Sequence, residues 1–96
     1  MSLTSIQTIV IDVLKNVQTL SGRTWKDLLP SSKPLYDLDG FDSLCSVEAT
    51  IMVEEKLNQG ELKAVSIFYS EEDGQVLTLL EVSKFVDKLI KAKGDQ

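Results

Sequence analysis

The sequence contains no histidine and only one cysteine, Cys45, and each shortage excludes a kind of chemistry. Without histidine the chain cannot supply a Ser-His-Asp or Cys-His arrangement for nucleophilic catalysis, or a histidine ligand for a metal. A single cysteine can form neither a disulfide within the chain nor a thiolate metal cluster. An enzyme is not excluded by composition alone, but most of the usual catalytic equipment is missing.

Long apolar runs and an excess of basic residues are also missing. No run approaches the roughly 20 apolar residues that a bilayer span needs, and the first residues lack the regions of a secretory signal, so we expect a cytoplasmic protein without a membrane partner. Fifteen acidic against ten basic residues give a formal net charge of −5. Nucleic acid binding needs a cationic surface, so nucleic acid is not an expected partner, whereas partners with basic patches are favoured.

The length and the overall balance predict one small domain. The 96 residues leave no room for a second core, so we treat 1–96 as a single unit. A hydrophobic share of 43% with 26% charged residues is typical of a globular chain rather than a disordered one.

A first helix and a long connection occupy the first half of the chain. Apolar residues at helical spacing predict a helix at about 4–18, with Thr4 and Gln7 as a capping box and Gly22 closing its end. Residues 21–42 contain both prolines and form a long loop. Apolar side chains spaced along this loop predict that it is ordered and held against the helices. They are Trp25, Leu28, Leu29, Leu35, Tyr36 and Phe41.

Two more helices are predicted further along. The second begins at Asp42 or Ser43, both good N-cap residues. The last lies at about 79–92 and begins at a capping box formed by Thr78 and Glu81.

Residues 61–77 are ambiguous. Residues 65–69 are β-branched and aromatic, which favours a strand, but a lone strand has no partner to pair with. We therefore expect a short or irregular third helix here, with a turn at 72–74. The whole pattern predicts an all-α domain, a small four-helix bundle with a long ordered loop between its first two long helices.

The second helix, expected to end near Asn58, has apolar residues on two opposite sides. One side has the composition of a core: Cys45, Ala49, Met52, Val53 and Leu57. The other side carries Leu44, Val47 and Ile51, with Glu48 and Glu55 beside them. Such a helix is either buried all round or keeps one stripe for a partner, and a domain this small favours the partner. Six acids and no base lie between residues 37 and 55, which indicates either a solvated face or a docking surface for a basic partner.

The start of this helix carries a recognisable pattern. Residues 40–48 are Gly-Phe-Asp-Ser-Leu-Cys-Ser-Val-Glu, and residues 54–57 are Glu-Glu-Lys-Leu. This resembles the acyl carrier protein signature, which is Gly-x-Asp-Ser-Leu, then Val-Glu, then an acidic helix end. Residues 78–86 are similar to the closing helix of that family. The chain departs from the family in having Asp39 where members commonly have leucine, and in a longer connection between Leu57 and Thr78.

The resemblance implies a carrier rather than an enzyme. The four-helix bundle of acyl-carrier type holds 4′-phosphopantetheine on a serine, here Ser43, after its transfer from coenzyme A by a phosphopantetheinyl transferase. The thiol of this arm holds acyl groups as thioesters and presents them to acyl-transferring or acyl-modifying enzymes, as in fatty acid or polyketide biosynthesis. Asp42 would help to position the transferase and its metal. The recognition face would consist of Leu44, Val47, Glu48 and Ile51, with Glu55 beside it, on a monomer.

Alternatives remain for the serine, the cysteine and the function. Ser43 lies where a phosphodiester would meet the positive end of a helix dipole, but a serine there is more often a plain N-cap. Cys45 is most simply a small buried hydrophobe, and no cation that would activate its thiol is evident nearby in sequence. The competing functions are an unmodified protein-interaction module with the carrier fold, and a small hydrolase, which lacks an evident general base.

Overall fold

The computed structural model describes residues 2–58, 62, 64–70 and 72–94. In this part of the chain there are four helices and no strands, as an all-α domain requires. The helices are α1 (Leu3–Leu20), α2 (Pro34–Asp37), α3 (Ser43–Leu57) and α4 (Leu79–Gly94). The longest helix, α1, packs against both α3 and α4. No helix among the described residues combines the length and the apolar character that crossing a membrane demands.

The first helix begins one residue earlier than the sequence predicts, and its N-cap lies two residues before the predicted one. Ser2 is its N-cap, and the Ser2 hydroxyl accepts a hydrogen bond from the Ser5 amide at 3.1 Å. The predicted capping box of Thr4 and Gln7 is therefore wrong, because both residues lie inside the helix. The predicted end is confirmed, since Gly22 follows α1 with a φ of +67°, a conformation that glycine adopts without steric cost.

The connection 21–42 is ordered, as predicted, and contains the short helix α2. Leu38 and Phe41 are buried in the core, while Trp25, Leu28 and Leu35 pack partly against it. The expectation that all its large apolar residues hold it down is wrong for two of them. Leu29 is 66% exposed and Tyr36 is 72% exposed.

The connection also supplies hydrogen-bond acceptors to α4. The Leu79 amide donates to the Ser32 carbonyl at 2.7 Å, and the Leu80 amide donates to the Pro30 carbonyl at 2.9 Å. The first amides of a helix have no partner within the helix, so these two carbonyls complete its start.

The boundaries of α3 and α4 agree with the sequence. Asp42 caps α3, and Asn58 ends it in the left-handed conformation with a φ of 53°. The predicted capping box of α4 is confirmed. The Thr78 amide donates to Glu81 Oε1 at 2.8 Å, and the Glu81 amide donates to Thr78 Oγ1 at 3.1 Å.

The segment between α3 and α4 differs from the prediction. Among its described residues there is no helix, so the expected third helix is wrong there. Tyr69 and Val76 instead form a single antiparallel bridge, and the predicted turn at 72–74 joins its two sides. Gly74 completes this turn with a φ of +69°. The turn residue predicted at Gly60 lies outside the described residues.

The buried side chains of this segment join the helical core. Ile67 and Phe68 are fully buried, and the Phe68 ring meets Phe41 edge to face with centroids 5.3 Å apart. The fourth element of the core is thus an irregular hairpin rather than a helix. The described part of the chain still contains four helices, because the short helix α2 in the connection 21–42 was not predicted.

Candidate functional site

The predicted site lies at the corner where the connection enters α3. Asp42 is the N-cap, and its Oδ1 accepts a hydrogen bond from the Cys45 amide at 2.9 Å. Ser43 is the first residue of α3 and is exposed. The interpretation of Ser43 as a plain N-cap is therefore wrong, because Asp42 performs that role and leaves the serine hydroxyl at the surface.

The charge at this corner is stabilised locally. The pKa of Asp42 is lowered, chiefly by the hydrogen bond from the Cys45 amide and further by the nearby Arg23 guanidinium. The Asp42 carboxylate thus accepts a hydrogen bond at the start of α3, where the free backbone amides were expected to face a phosphodiester on Ser43. A group attached to Ser43 would still lie at the positive end of α3, but beside an anionic cap.

Cys45 faces the interior, as predicted, but it has a cationic neighbour. Arg23 Nη1 lies 3.1 Å from Cys45 Sγ. The pKa of Arg23 is raised, mainly by this hydrogen bond and further by the charges of Asp42 and Asp39. No cation lies near Cys45 in the sequence, but the fold brings Arg23, 22 residues away along the chain, next to its thiol.

The two-sided pattern of α3 corresponds to one buried and one exposed side. Cys45, Ala49, Val53 and Leu57 are buried, and Met52 is partly buried against the core. On the other side Leu44 is 69% exposed and Ile51 is 51% exposed.

The remaining predicted docking residues share the exposed side of α3. Val47 is partly buried, whereas Glu48 and Glu55 are exposed. The interpretation of α3 as a helix buried all round is therefore wrong. An apolar stripe with acidic neighbours runs along α3 away from Ser43. We call these six residues the docking face: Leu44, Val47, Glu48, Ile51, Glu55 and the site serine Ser43.

A buried hydroxyl network supports α3 from beneath. Ser46 Oγ donates to the Ser43 carbonyl at 2.7 Å, and Ser66 Oγ donates to Ser46 Oγ at 3.0 Å. Thr50 Oγ1 accepts from the Ile67 amide at 3.0 Å, and Ser66 Oγ accepts from the Phe68 amide at 3.1 Å. These bonds tie the segment 66–68 to the inner side of the helix that presents Ser43.

This network was not predicted from the sequence. The only signal was that Ser46 and Thr50 are polar residues one helical turn apart beside the core face of α3. Polar residues at such positions need buried partners, which the segment 66–68 supplies.

Two concavities adjoin the helices. A shallow one of about 560 Å³ is lined by residues 35–42 and ends at Asp42, next to Ser43. A second, of about 450 Å³, lies between α4 and the hairpin, with Ala64, Leu77 and Phe85 among its lining residues. Among the described residues, no group of three or more acidic, cysteine or histidine side chains is arranged to hold a metal ion.

In comparisons with known proteins, no family model matches the chain, and neither a curated protein nor a solved structure matches it. The similarity to acyl carrier proteins therefore rests on the residues quoted above.

Proposed function

We propose that this protein is an acyl carrier whose Ser43 holds 4′-phosphopantetheine. The observation that carries the proposal is the position of the Asp-Ser-Leu motif. Asp42 caps α3 with its own carboxylate, while Ser43 at the first helical position stays exposed and is not needed as a cap. An uncommitted serine hydroxyl in this motif fits a covalent attachment point.

The chemistry requires little of the carrier itself. Ser43 Oγ would form a phosphodiester with the phosphorus of the phosphopantetheine group, the phosphoanhydride bond of coenzyme A would break, and 3′,5′-ADP would leave. The serine proton would pass to a base on the transferase, so the absence of histidine is no obstacle. The attached thiol would then exchange acyl groups as thioesters.

The docking face supports the second half of the proposal. Leu44 and Ile51 offer exposed apolar contacts, and Glu48 and Glu55 offer negative charge on the same helix that bears Ser43. A partner enzyme with a basic patch around an apolar pocket would complement this face, and charge would mainly accelerate the encounter.

The test is an intact-mass measurement before and after incubation with coenzyme A and a broad-specificity phosphopantetheinyl transferase. We expect a gain of one phosphopantetheine, located by peptide mapping on the peptide that contains Ser43. Ser43→Ala should not gain mass, whereas Ser31→Ala, which changes an exposed serine of the connection, should gain it like the parent.

The Ser43→Ala variant should also keep its fold. Because Asp42 provides the cap, the change replaces an exposed first-turn serine by a better helix former, and the free energy of unfolding should change by less than about 0.5 kcal/mol. A full mass gain in a folded Ser43→Ala variant would overturn the site assignment.

A protein-interaction module without a prosthetic group is the second candidate. The exposed Leu44 and Ile51 favour it, because an apolar stripe can bind a partner whether or not Ser43 is modified. Failure of several transferases to modify the parent protein would contradict the carrier proposal and favour this module. Pull-down with the docking face intact and with Leu44→Ala would then test it directly.

A further inference from the structure

The end of α1 is joined to the loop that precedes Ser43 by one buried amide. Gln18 is fully buried, and its Nε2 donates to the Thr24 carbonyl at 3.1 Å and to the Asp39 carbonyl at 2.8 Å. A single side chain thus holds the beginning and the end of the connection 21–42 together. Gln18 Oε1 has no hydrogen-bond partner in the described part of the chain, so the amide is oriented by its two donated bonds.

Arg23 extends this attachment to the corner itself. Its backbone amide donates to the Gln18 carbonyl at 2.8 Å, and its guanidinium Nη1 reaches Cys45 Sγ at 3.1 Å. Between these two points the side chain lies directly over Gly40. A Cβ added at Gly40 would stand 2.7 Å from Arg23 Nε and 2.8 Å from its Cδ.

Gly40 is adapted to this contact in two ways. Its φ of +66° is a conformation that other residues rarely adopt, and its missing side chain makes room for the arginine. The same glycine is the first residue of the Gly-x-Asp-Ser-Leu motif, which contains Ser43. The close approach of the Arg23 side chain therefore explains why this position is glycine in this chain.

The position of Arg23 also balances charge. Its guanidinium lies among Asp39, Asp42 and Cys45, and the interactions with both carboxylates are attractive. Arg23 is the only arginine, because nine of the ten basic residues are lysines. The planar guanidinium offers several fixed donors on one rigid group, which a lysine ammonium cannot reproduce.

We infer that Arg23 is a positioning residue that orders the Gly40–Asp42 loop so that Ser43 is presented in one geometry to the modifying enzyme. Its role in modification rests on the proposed function. The mechanism is pre-organisation, since a corner that samples several conformations lowers the apparent affinity of its partner by the fraction that is competent to bind.

The first arm of the test does not depend on modification. Amide hydrogen exchange of Cys45 reports on the corner, because its amide donates to Asp42. In Arg23→Ala we expect this amide to exchange at least about 10-fold faster than in the parent, while amides inside α1 keep their rates. Lys26→Ala is the matched control, since it removes the same charge from an exposed position of the same connection and should change the rate less than about two-fold.

The second arm measures steady-state transfer of phosphopantetheine from coenzyme A with each variant as acceptor. For Arg23→Ala we expect the KM for the carrier to rise about five- to ten-fold with kcat within about two-fold, because the bound corner reaches the same geometry after ordering. Arg23→Lys keeps the charge and should recover part of the loss. Gly40→Ala should raise KM in both backgrounds, because alanine is strained at a φ of +66°, but by a smaller factor in Arg23→Ala, where its Cβ no longer meets the arginine.

The outcomes separate the two proposals. An unchanged Cys45 exchange rate, or an unchanged KM for Arg23→Ala, would overturn the inference about Arg23 and leave the carrier assignment intact. Absence of modification in the parent would overturn the carrier assignment and the role of Arg23 in it, while the exchange arm alone would decide whether Arg23 orders the corner. Full rescue by Arg23→Lys would reduce the role to charge and contradict the argument from the planar guanidinium.

Discussion

Thr50→Val tests the buried hydroxyl network that holds the hairpin segment beneath α3. Thr50 is fully buried, its Oγ1 donates to the Ser46 carbonyl at 2.8 Å, and it accepts from the Ile67 amide at 3.0 Å. Valine has nearly the same shape, so the substitution removes the hydroxyl without opening a cavity.

The magnitude follows from the groups left behind. The Ile67 amide would be buried without an acceptor, which costs about 1–3 kcal/mol. The valine methyl group that replaces the hydroxyl is buried in its place, which stabilises the fold by about 0.8 kcal/mol. We therefore expect a net loss of about 0.2–2.2 kcal/mol in the free energy of unfolding, which for a domain of this size lowers Tm by roughly 1–18 °C.

The assay is urea and thermal unfolding, followed by far-UV circular dichroism and by fluorescence of Trp25, the only tryptophan. Thr8→Val is the matched control, because Thr8 Oγ1 makes the same kind of bond, to the Thr4 carbonyl at 3.0 Å, on the exposed side of α1. That variant should change the free energy of unfolding by less than about 0.5 kcal/mol. If Thr50→Val proves as stable as Thr8→Val, the network does not hold the segment 66–68 and the reasoning is refuted.

Three further predictions concern the docking face and its cap. The double variant Glu48→Lys, Glu55→Lys should slow association with a basic partner enzyme and weaken its salt dependence, and an unchanged salt dependence of the association rate would contradict an acidic docking face. Leu44→Ala should weaken that association while changing the free energy of unfolding by less than about 0.5 kcal/mol; a larger loss of stability would mean that Leu44 is packed. Asp42→Asn keeps a cap but loses the charge. The stabilisation from this carboxylate is present above its unfolded-state pKa and is lost as pH falls through its lowered folded-state pKa, so the difference between parent and variant should shrink on acidification below about pH 4, as measured by urea unfolding at stepped pH. A difference that persists at lower pH would rule out the carboxylate as its source.

The three long helices could be predicted because their signals are local. Periodic apolar residues, the cap at Asp42, the capping box of Thr78 with Glu81 and the glycine after α1 all act within a few residues. The exposed side of α3 could be predicted for a similar reason, since residues 44, 47 and 51 lie together on any helix. The N-cap of α1 was placed two residues too late because two polar residues, Ser2 and Thr4, are both acceptable cap residues.

The segment 61–77 could not be predicted because its partners are distant in sequence. Its backbone donors at Ile67 and Phe68 are satisfied by hydroxyls of Thr50 and Ser66 rather than by helical carbonyls. A strand was not predicted here because no second strand was available to pair with it. The structure has a single bridge between Tyr69 and Val76, and the burial of Ile67 and Phe68 holds the extended segment in place without a full sheet. The β-branched composition was therefore the better guide, and the helix predicted from the absence of a partner strand is not found among the residues of this segment that the structure describes.

The exposure of Leu29 and Tyr36 has a related cause. They were expected to hold the connection against the helices, but polar bonds already hold it there. Gln18 fixes both its ends, and the carbonyls at Pro30 and Ser32 are bound to the first amides of α4. Once these bonds fix the path of the backbone, the orientation of each side chain follows from its place along that path, and apolar burial no longer selects it. Leu29 and Tyr36 consequently remain at the surface, and Tyr36 lines the shallow concavity that leads to Asp42 and Ser43.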